Sequence, residues 1–573
     1  MKFLWSYFKK YRLESILAPL FKCLEACFDL AVPVIVAKII DTGIATANKP
    51  YIISRFLLLL AMAVLGLVSS CVAQYFAAKA AIGTAAGLRQ DLLCKIQTLS
   101  CGEVDAVGTS TLITRMTSDM NQVQSGMNLT LRLLLRSPFV VFGAMIMAFT
   151  IDVKAALIFA AAIPVLSLVV FGIMLWCIPL YKRVQRKLDG VLSATRENLT
   201  GVRVIRAFCK EEEQISRFDD CNQDLTRTQK YVGRISALMN PVTYILINLA
   251  IIWLVYTGAL RVDAGLISQG AVVALYNYMS QILVELIKLA NLIINITKSV
   301  ACGNRIQSVF EIRSSLDAPE QAPAPKDFSY AVEFDHVTLR YANAGDDSLS
   351  DISFAARPGE TIGVIGSTGS GKSSLVNLIP RFYDASAGQV LVDGINVKEY
   401  PLDDLRNRIG VVPQKAVLFK GTIRDNLRWG NPDATDAQLL EAVQTAQAGE
   451  VLAQKGGLDF ELEQGGKNLS GGQKQRFTIA RALVKHPKIL ILDDSASALD
   501  FATDAALRKA IREMPGNPTV FIVSQRTSSL QHADQILVLE DGAVVGAGTH
   551  AQLLESCPVY QEIYQSQFRK EDA

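Results

Sequence analysis

Gly366-Ser367-Thr368-Gly369-Ser370-Gly371-Lys372-Ser373, with Ser374 following, carries the residue types that grip a polyphosphate. Its glycines let backbone amides wrap phosphate oxygens, Lys372 reaches the terminal phosphates, and the Ser373 hydroxyl can bind magnesium. A strand-like run, Thr361-Ile362-Gly363-Val364-Ile365, leads into it, as this pattern requires. Further along, Asn468-Leu469-Ser470-Gly471-Gly472-Gln473 opens a helix on Ser-Gly-Gly. Several bare N–H groups and the positive end of the helix dipole then converge on one spot, which suits a phosphate. Ile489-Leu490-Ile491-Leu492-Asp493-Asp494 is a short apolar run ending in carboxylates. It reads as a buried parallel strand delivering Asp493 towards a metal ion. Taken in this order, the three segments predict binding of a nucleoside triphosphate with magnesium.

These residues resemble the ATP-binding cassette family, and the resemblance extends over essentially the whole chain. It implies ATP and Mg2+ as the bound cofactors. Tyr341 stands where the family places an aromatic residue that stacks on adenine. Gln414, in Val412-Pro413-Gln414, stands where a glutamine meets magnesium beside Ser373 and Asp493 and senses the membrane domain. Ser497-Ala498-Leu499-Asp500 matches the loop that crosses to the opposite cassette, with Asp500 at its end. Leu469, Ser470, Gly471, Gly472 and Gln473 match the signature that completes the nucleotide site of a second cassette.

Two positions depart from a hydrolysis-competent pattern. After Asp493 the family normally has Glu, which orients the attacking water; here it is Asp494. One methylene fewer withdraws the carboxylate by roughly 1.5 Å, about one C–C bond. In Val523-Ser524-Gln525-Arg526, Gln525 replaces the usual His. Gln525 can still donate a hydrogen bond to a γ-phosphate, but it cannot carry positive charge or shuttle a proton. Asp494 and Gln525 are thus the catalytic positions, and both are degenerate. The expected outcome is a site that binds ATP and hydrolyses it poorly.

The elements that must position these residues fall into two halves. At 573 residues the chain is too long for one core. Half of its residues are hydrophobic, and a net charge of +3 implies no nucleic-acid partner. The ten cysteines are scattered, several inside apolar runs, and read as small buried hydrophobes. Residues 1–312 read as an all-α transmembrane domain with six spans, near 14–43, 55–82, 130–150, 154–180, 241–262 and 266–297. A Pro/Ala/acidic linker follows at 313–327, and 328–573 reads as an α/β phosphate-loop ATPase domain of the exporter-type arrangement. The connections near 83–129 and 181–240 are long, polar and basic, which places them, the N-terminus and the ATPase domain in the cytosol. Their helical pattern predicts membrane helices that continue beyond the bilayer. Gly108-Thr109-Ser110-Thr111-Leu112-Ile113-Thr114-Arg115 with Asp119, and the stretch from Glu197 to Phe208, look like the family's two intracellular loops, whose short helices dock onto cassettes. The resemblance is to multi-pass proteins, and a bacterial inner membrane is the expected location.

Glu25 and Asp29 lie one helical turn apart in the first span and are the candidates for lining a substrate cavity. Arg132 and Arg136, and Glu285 with Lys288, are charges for which interhelical pairing or placement near the headgroups is the plainer reading. Mixed signs favour an amphipathic or variably charged small molecule or peptide as cargo. Because the resembling family sandwiches ATP between two cassettes, a chain with one cassette must pair. An intact signature beside a damaged catalytic pair favours a heterodimer with a second half-transporter in a lipid bilayer. The alternatives are a homodimeric exporter with slow sites, an ATP-sensing regulatory membrane protein, and an importer built on exporter architecture.

Overall fold

The computed structural model describes residues 6–568, apart from 317–318, 320, 322–327, 342–343 and 496. The chain divides into two units, one of Met1–Ile96 and Ser110–Glu311, the other of Gln97–Thr109 and Ile312–Ala573. The expected linker, 313–327, lies largely outside the described residues.

The first unit is a helical transmembrane domain. Among the described residues, five helices are long and apolar enough to cross a membrane: Lys49–Gln97, Thr109–Ile151, Val153–Thr200, Glu211–Asp263 and Gln269–Phe310. The first of the six expected spans forms a helix, Arg12–Lys38, of 27 residues followed by a widened turn over Ile39–Ile44. It does not join the other five on composition, because Lys22, Glu25 and Asp29 interrupt its apolar run. Those charges are compensated in three dimensions. Arg136 donates to Asp29 Oδ2 at 2.9 Å and to Glu285 Oε1 at 2.7 Å. Ser137 and Lys288 also donate to Glu285, each at 2.9 Å, and Lys22 donates to Glu25 at 2.5 Å and to Ser70 at 2.9 Å. Arg136 pairs between helices, whereas Lys288 pairs with Glu285 within its own helix, Gln269–Phe310. Stripping water from unpaired charges would cost several kcal/mol each, so pairing is what makes this helix tolerable in an apolar setting.

Several helices overrun their apolar windows. Lys49–Gln97 and Val153–Thr200 contain 49 and 48 residues. At 1.5 Å per residue each spans about 70 Å, more than twice a hydrocarbon core. Lys49–Gln97 buries a stripe of small residues, including Ala73, Ala77, Ala80, Ala81 and Ala85, while Leu60, Leu65 and Leu67 stay exposed. That pattern is inside-out for a water-soluble helix and ordinary for one facing lipid.

The second unit is built on two sheets. A four-stranded antiparallel sheet runs Leu349–Ala356, Val332–Leu339, Ala387–Val392, Ile395–Asn396. A six-stranded sheet runs Ala543–Gly548, Gln535–Glu540, Thr361–Gly366, Thr519–Val523, Ile489–Asp493, Ile409–Val412. All its pairings are parallel except the one at the Ala543–Gly548 edge. Ile489–Asp493 and Thr519–Val523 are buried at every position, as strands covered on both faces must be. Alternate residues feed opposite cores. Leu490, Leu492, Val520 and Ile522 enter one, while Ile489, Ile491, Phe521 and Val523 enter the other.

This topology sets the site. In the parallel register Val523 stands beside both Val364 and Asp493, so three neighbouring strands end together. The phosphate loop, Ser524-Gln525 and Asp493-Asp494 therefore leave the sheet side by side at its carboxyl end. Ile409–Val412 adds Gln414 from the next strand over.

Candidate functional site

A cleft of about 680 Å³ opens at that carboxyl edge. Thr368, Gly369, Gly371, Lys372, Ser373 and Ser374 line it together with Gln414, Asp493, Asp494 and Gln525. Gly366, Ser367 and Ser370 do not line it but support Lys372 from below. Its ammonium donates to the carbonyls of Gly366 at 2.9 Å and Ser367 at 2.5 Å. Gly371 caps the following helix with φ 95°, and a Cβ there would come 2.7 Å from the Ser348 carbonyl. Only glycine fits that turn.

Burial holds the Lys372 ammonium below the ordinary lysine range, opposed by the carboxylates of Asp494 and Asp493. Burial likewise pushes Asp493 above the usual carboxylate range. The Ser373 hydrogen bond pulls it back, Asp494 pushes it further up, and Lys372 pulls it down. A lysine and a carboxylate that are both costly to keep charged gain from a phosphate beside the one and a cation beside the other. The Ser373 hydroxyl donates to Asp493 Oδ1 at 3.0 Å, so two oxygen donors already meet at one point. Hard oxygen donors of this kind fit magnesium, and the Gln414 amide lines the same cleft. Ser373, Asp493 and Gln414 are the residues that would hold magnesium, which would supply positive charge against the phosphates of a bound nucleotide.

Asp494 adopts φ 46°, and its Oδ2 accepts from Gln414 Nε2 at 3.2 Å. Its backbone N–H is fixed to the Val523 carbonyl at 3.0 Å. The short carboxylate thus cannot advance by moving its backbone without breaking the sheet edge.

Tyr341 is half-buried, with its hydroxyl donating to Ser374 at 2.9 Å and its ring edge-on to Tyr383 at 5.0 Å. The signature residues lie outside the cleft. Ser470 and Gln473 cap the helix Gly471–Leu483 reciprocally, as a Ser-x-x-Gln box does. A Cβ on Gly471 would meet nothing within 4 Å in this chain, whereas one on Gly472 would approach the Ala498 carbonyl at 2.8 Å. Asp500 is also away from the cleft; its carboxylate caps the next helix, accepting from Thr503 N at 2.8 Å.

Sequence reasoning missed several residues. Asp346, Asp347, Ser348, Asp541 and Gly542 line the cleft, brought there by pairing of distant segments such as Ser350 N–H with the Gly542 carbonyl at 2.8 Å. The helix that meets the ATPase domain is Cys101–Val107, just before the quoted Gly108–Arg115 stretch. Gly108, at φ 81°, ends it. Tyr383 donates to Asp105 Oδ2 at 2.8 Å, and Glu103 accepts from Ser315 N–H at 3.1 Å. The helix of the second loop, Val202–Ala207, belongs to the other unit and leaves Val204 and Phe208 exposed.

Fold and site together define a membrane protein that carries its own phosphate-loop ATP-binding domain. Two family models match it: ABC transporter transmembrane region over residues 15–286 and ABC transporter over residues 349–497. The chain is 36% identical to the uncharacterized ABC transporter ATP-binding protein MT1311 of Mycobacterium tuberculosis, over 98% of this chain and 97% of that one. It is 35% identical to YfiB of Bacillus subtilis, likewise an uncharacterized ABC transporter ATP-binding protein, over 99% and 98%. A fatty acid ABC transporter ATP-binding/permease protein of Mycobacterium bovis is 32% identical over 83% of this chain and 75% of its own. The chain therefore belongs to the ABC transporter family, with membrane and ATP-binding domains fused. Its fold matches a bacterial Atm1-family ABC exporter solved with ATP bound, at a TM-score of 0.78 and 22% identity, over 97% of this chain and 98% of that chain.

Proposed function

We propose that this transporter exports a small, amphipathic molecule as one half of a heterodimer, contributing a weakly hydrolytic ATP site and a sound signature to its partner. One observation carries the reading. Asp494 and Gln525, both altered, face the same cleft as an unaltered Lys372, Ser373 and Asp493, while the intact signature lies outside it. In this reading Lys372, the loop amides from Gly366 to Ser374 and Tyr341 hold ATP. Ser373, Gln414 and Asp493 hold magnesium, and Asp494 orients water from too far back. Leu469–Gln473 then serve the partner's nucleotide, Asp500 sits at the crossing between cassettes, and the exposed helix Val202–Ala207 docks on the partner.

Export of an amphiphile agrees with the exporter fold and with a relative named as a fatty acid transporter. Of the two candidate cavity residues, Asp29 is the better placed: its side chain is 45% exposed, against 16% for Glu25. The N-terminus and ATPase domain face the cytoplasm of a bacterial cell in this reading.

The test is phosphate release from the purified chain in lipid, alone and with a second half-transporter carrying a catalytic Glu. The chain alone should bind ATP and turn over slowly, on the order of 100-fold below the pair, the cost of a misplaced catalytic group. Equal rates per cassette would instead establish a homodimer with two equivalent sites.

A further inference from the structure

The loop that carries Gln525 is held by the last turn of the helix Pro558–Phe568. Gln567 Oε1 accepts from both the backbone N–H and the hydroxyl of Thr527, each at 2.9 Å. Gln567 Nε2 donates to the backbone carbonyl of Gln525 at 2.7 Å. One amide thus satisfies three groups on the loop, and Thr527 is completely buried. Glutamine is suited to this double task because it accepts and donates at once; Glu could not donate, and Lys could not accept.

The helix is itself anchored. Tyr560 is fully buried, with its hydroxyl 2.7 Å from His550 Nδ1, and Val559 and Ile563 pack on the core that holds Leu492 and Ile522. On its other flank the loop is restrained by Arg526, whose guanidinium lies 5.0 Å from the Phe501 ring. A helix anchored on the core therefore holds the backbone of the residue that faces the cleft with Lys372.

We propose that Gln567 is a positioning residue for Gln525. It sets the height of the Gln525 backbone, and so whether that side chain reaches a terminal phosphate. The C-terminal helix then helps this chain's site to tell ATP from ADP. The proposal rests on the reading of Gln525 as a γ-phosphate contact.

The experiment uses the full-length chain in lipid nanodiscs with Mg2+, titrated separately with ATP and ADP. Gln525→Ala should lower the ATP-to-ADP affinity ratio about ten-fold, the scale of a hydrogen bond to a charged group. Gln567→Ala should lower it about three- to five-fold with ADP affinity unchanged, since it loosens the contact without deleting it. Gln567→Glu, which lacks the donor to the Gln525 carbonyl, should behave like Gln567→Ala. The double variant Gln525→Ala, Gln567→Ala should be no worse than Gln525→Ala alone. Three results overturn the proposal: an unchanged ratio in Gln567→Ala, an equal loss of ATP and ADP affinity, or effects that multiply in the double variant. An unchanged ratio in Gln525→Ala would remove the phosphate reading of Gln525 and the proposal with it. That single variant separates this failure from the other three.

Discussion

At the scale of single residues, the site turns on where one carboxylate stops. Asp493 and Asp494 leave the same strand, yet one meets Ser373 and the other is drawn to Gln414. The Asp494 backbone is tied to Val523. Reach must therefore come from the side chain, and an added methylene supplies about 1.5 Å. We expect Asp494→Glu together with Gln525→His to restore hydrolysis at this site, by on the order of 100-fold over the unaltered chain. The measurement is phosphate release from a pair whose partner has its catalytic Glu replaced by Gln, so that only this site turns over. Asp494→Glu alone should recover part of the gain, because both groups act on one transition state and need not add. No gain from the double variant, with ATP still bound, would assign the silence to something other than these two side chains.

At the scale of elements, the signature helix and the strand ends behave differently. A Cβ added at Gly471 meets nothing within 4 Å in this chain, so a side chain can start there without a clash. On the proposed reading, a loss in Gly471→Asp comes from a charge placed beside the partner's nucleotide. We expect it to lower ATPase of the pair on the order of 100-fold, while Asp494→Asn leaves most of it. Equal losses would mean two equivalent sites. The same contrast explains what the sequence discloses. The phosphate loop, the strand Ile489–Asp493 and the signature helix are local patterns, and the structure places each where its residues predict. The first expected span, near 14–43, is legible as a helix, but its pairing is not: only the fold brings Arg136 to Asp29 and Glu25 from a distant helix. The docking helix Cys101–Val107 is read one step late for a related reason. What distinguishes it is contact with Tyr383, 278 residues further on, and no periodicity records that. Gln567 is invisible to pattern for the same reason: its partners lie 40 and 42 residues away, on the turn that follows the strand Thr519–Val523.

At the scale of the whole molecule, a transporter must convert events at the nucleotide into movement of its membrane helices. Tyr383 touches Tyr341 on one side and Asp105 on the other, so it stands between the candidate adenine contact and the first loop. Burial, with the neighbouring Asp105 adding to it, holds the Tyr383 hydroxyl well above the ordinary tyrosine range, so it remains a donor at any physiological pH. Tyr383→Phe removes only that donor. In vesicles containing the pair, dye efflux per ATP hydrolysed should fall about five-fold, the value of one ordinary hydrogen bond, with ATPase itself little changed. A parallel fall of both would assign the contact to domain stability instead. The helix it grips, within Gln97–Thr109, clusters with the ATP-binding unit even though the rest of that unit begins at Ile312. The unit is therefore discontinuous along the gene. A cassette transplanted between relatives at the linker would leave behind a piece of itself, and Tyr383 would meet a stranger's loop. Only a graft that carries both segments moves the intact machine part.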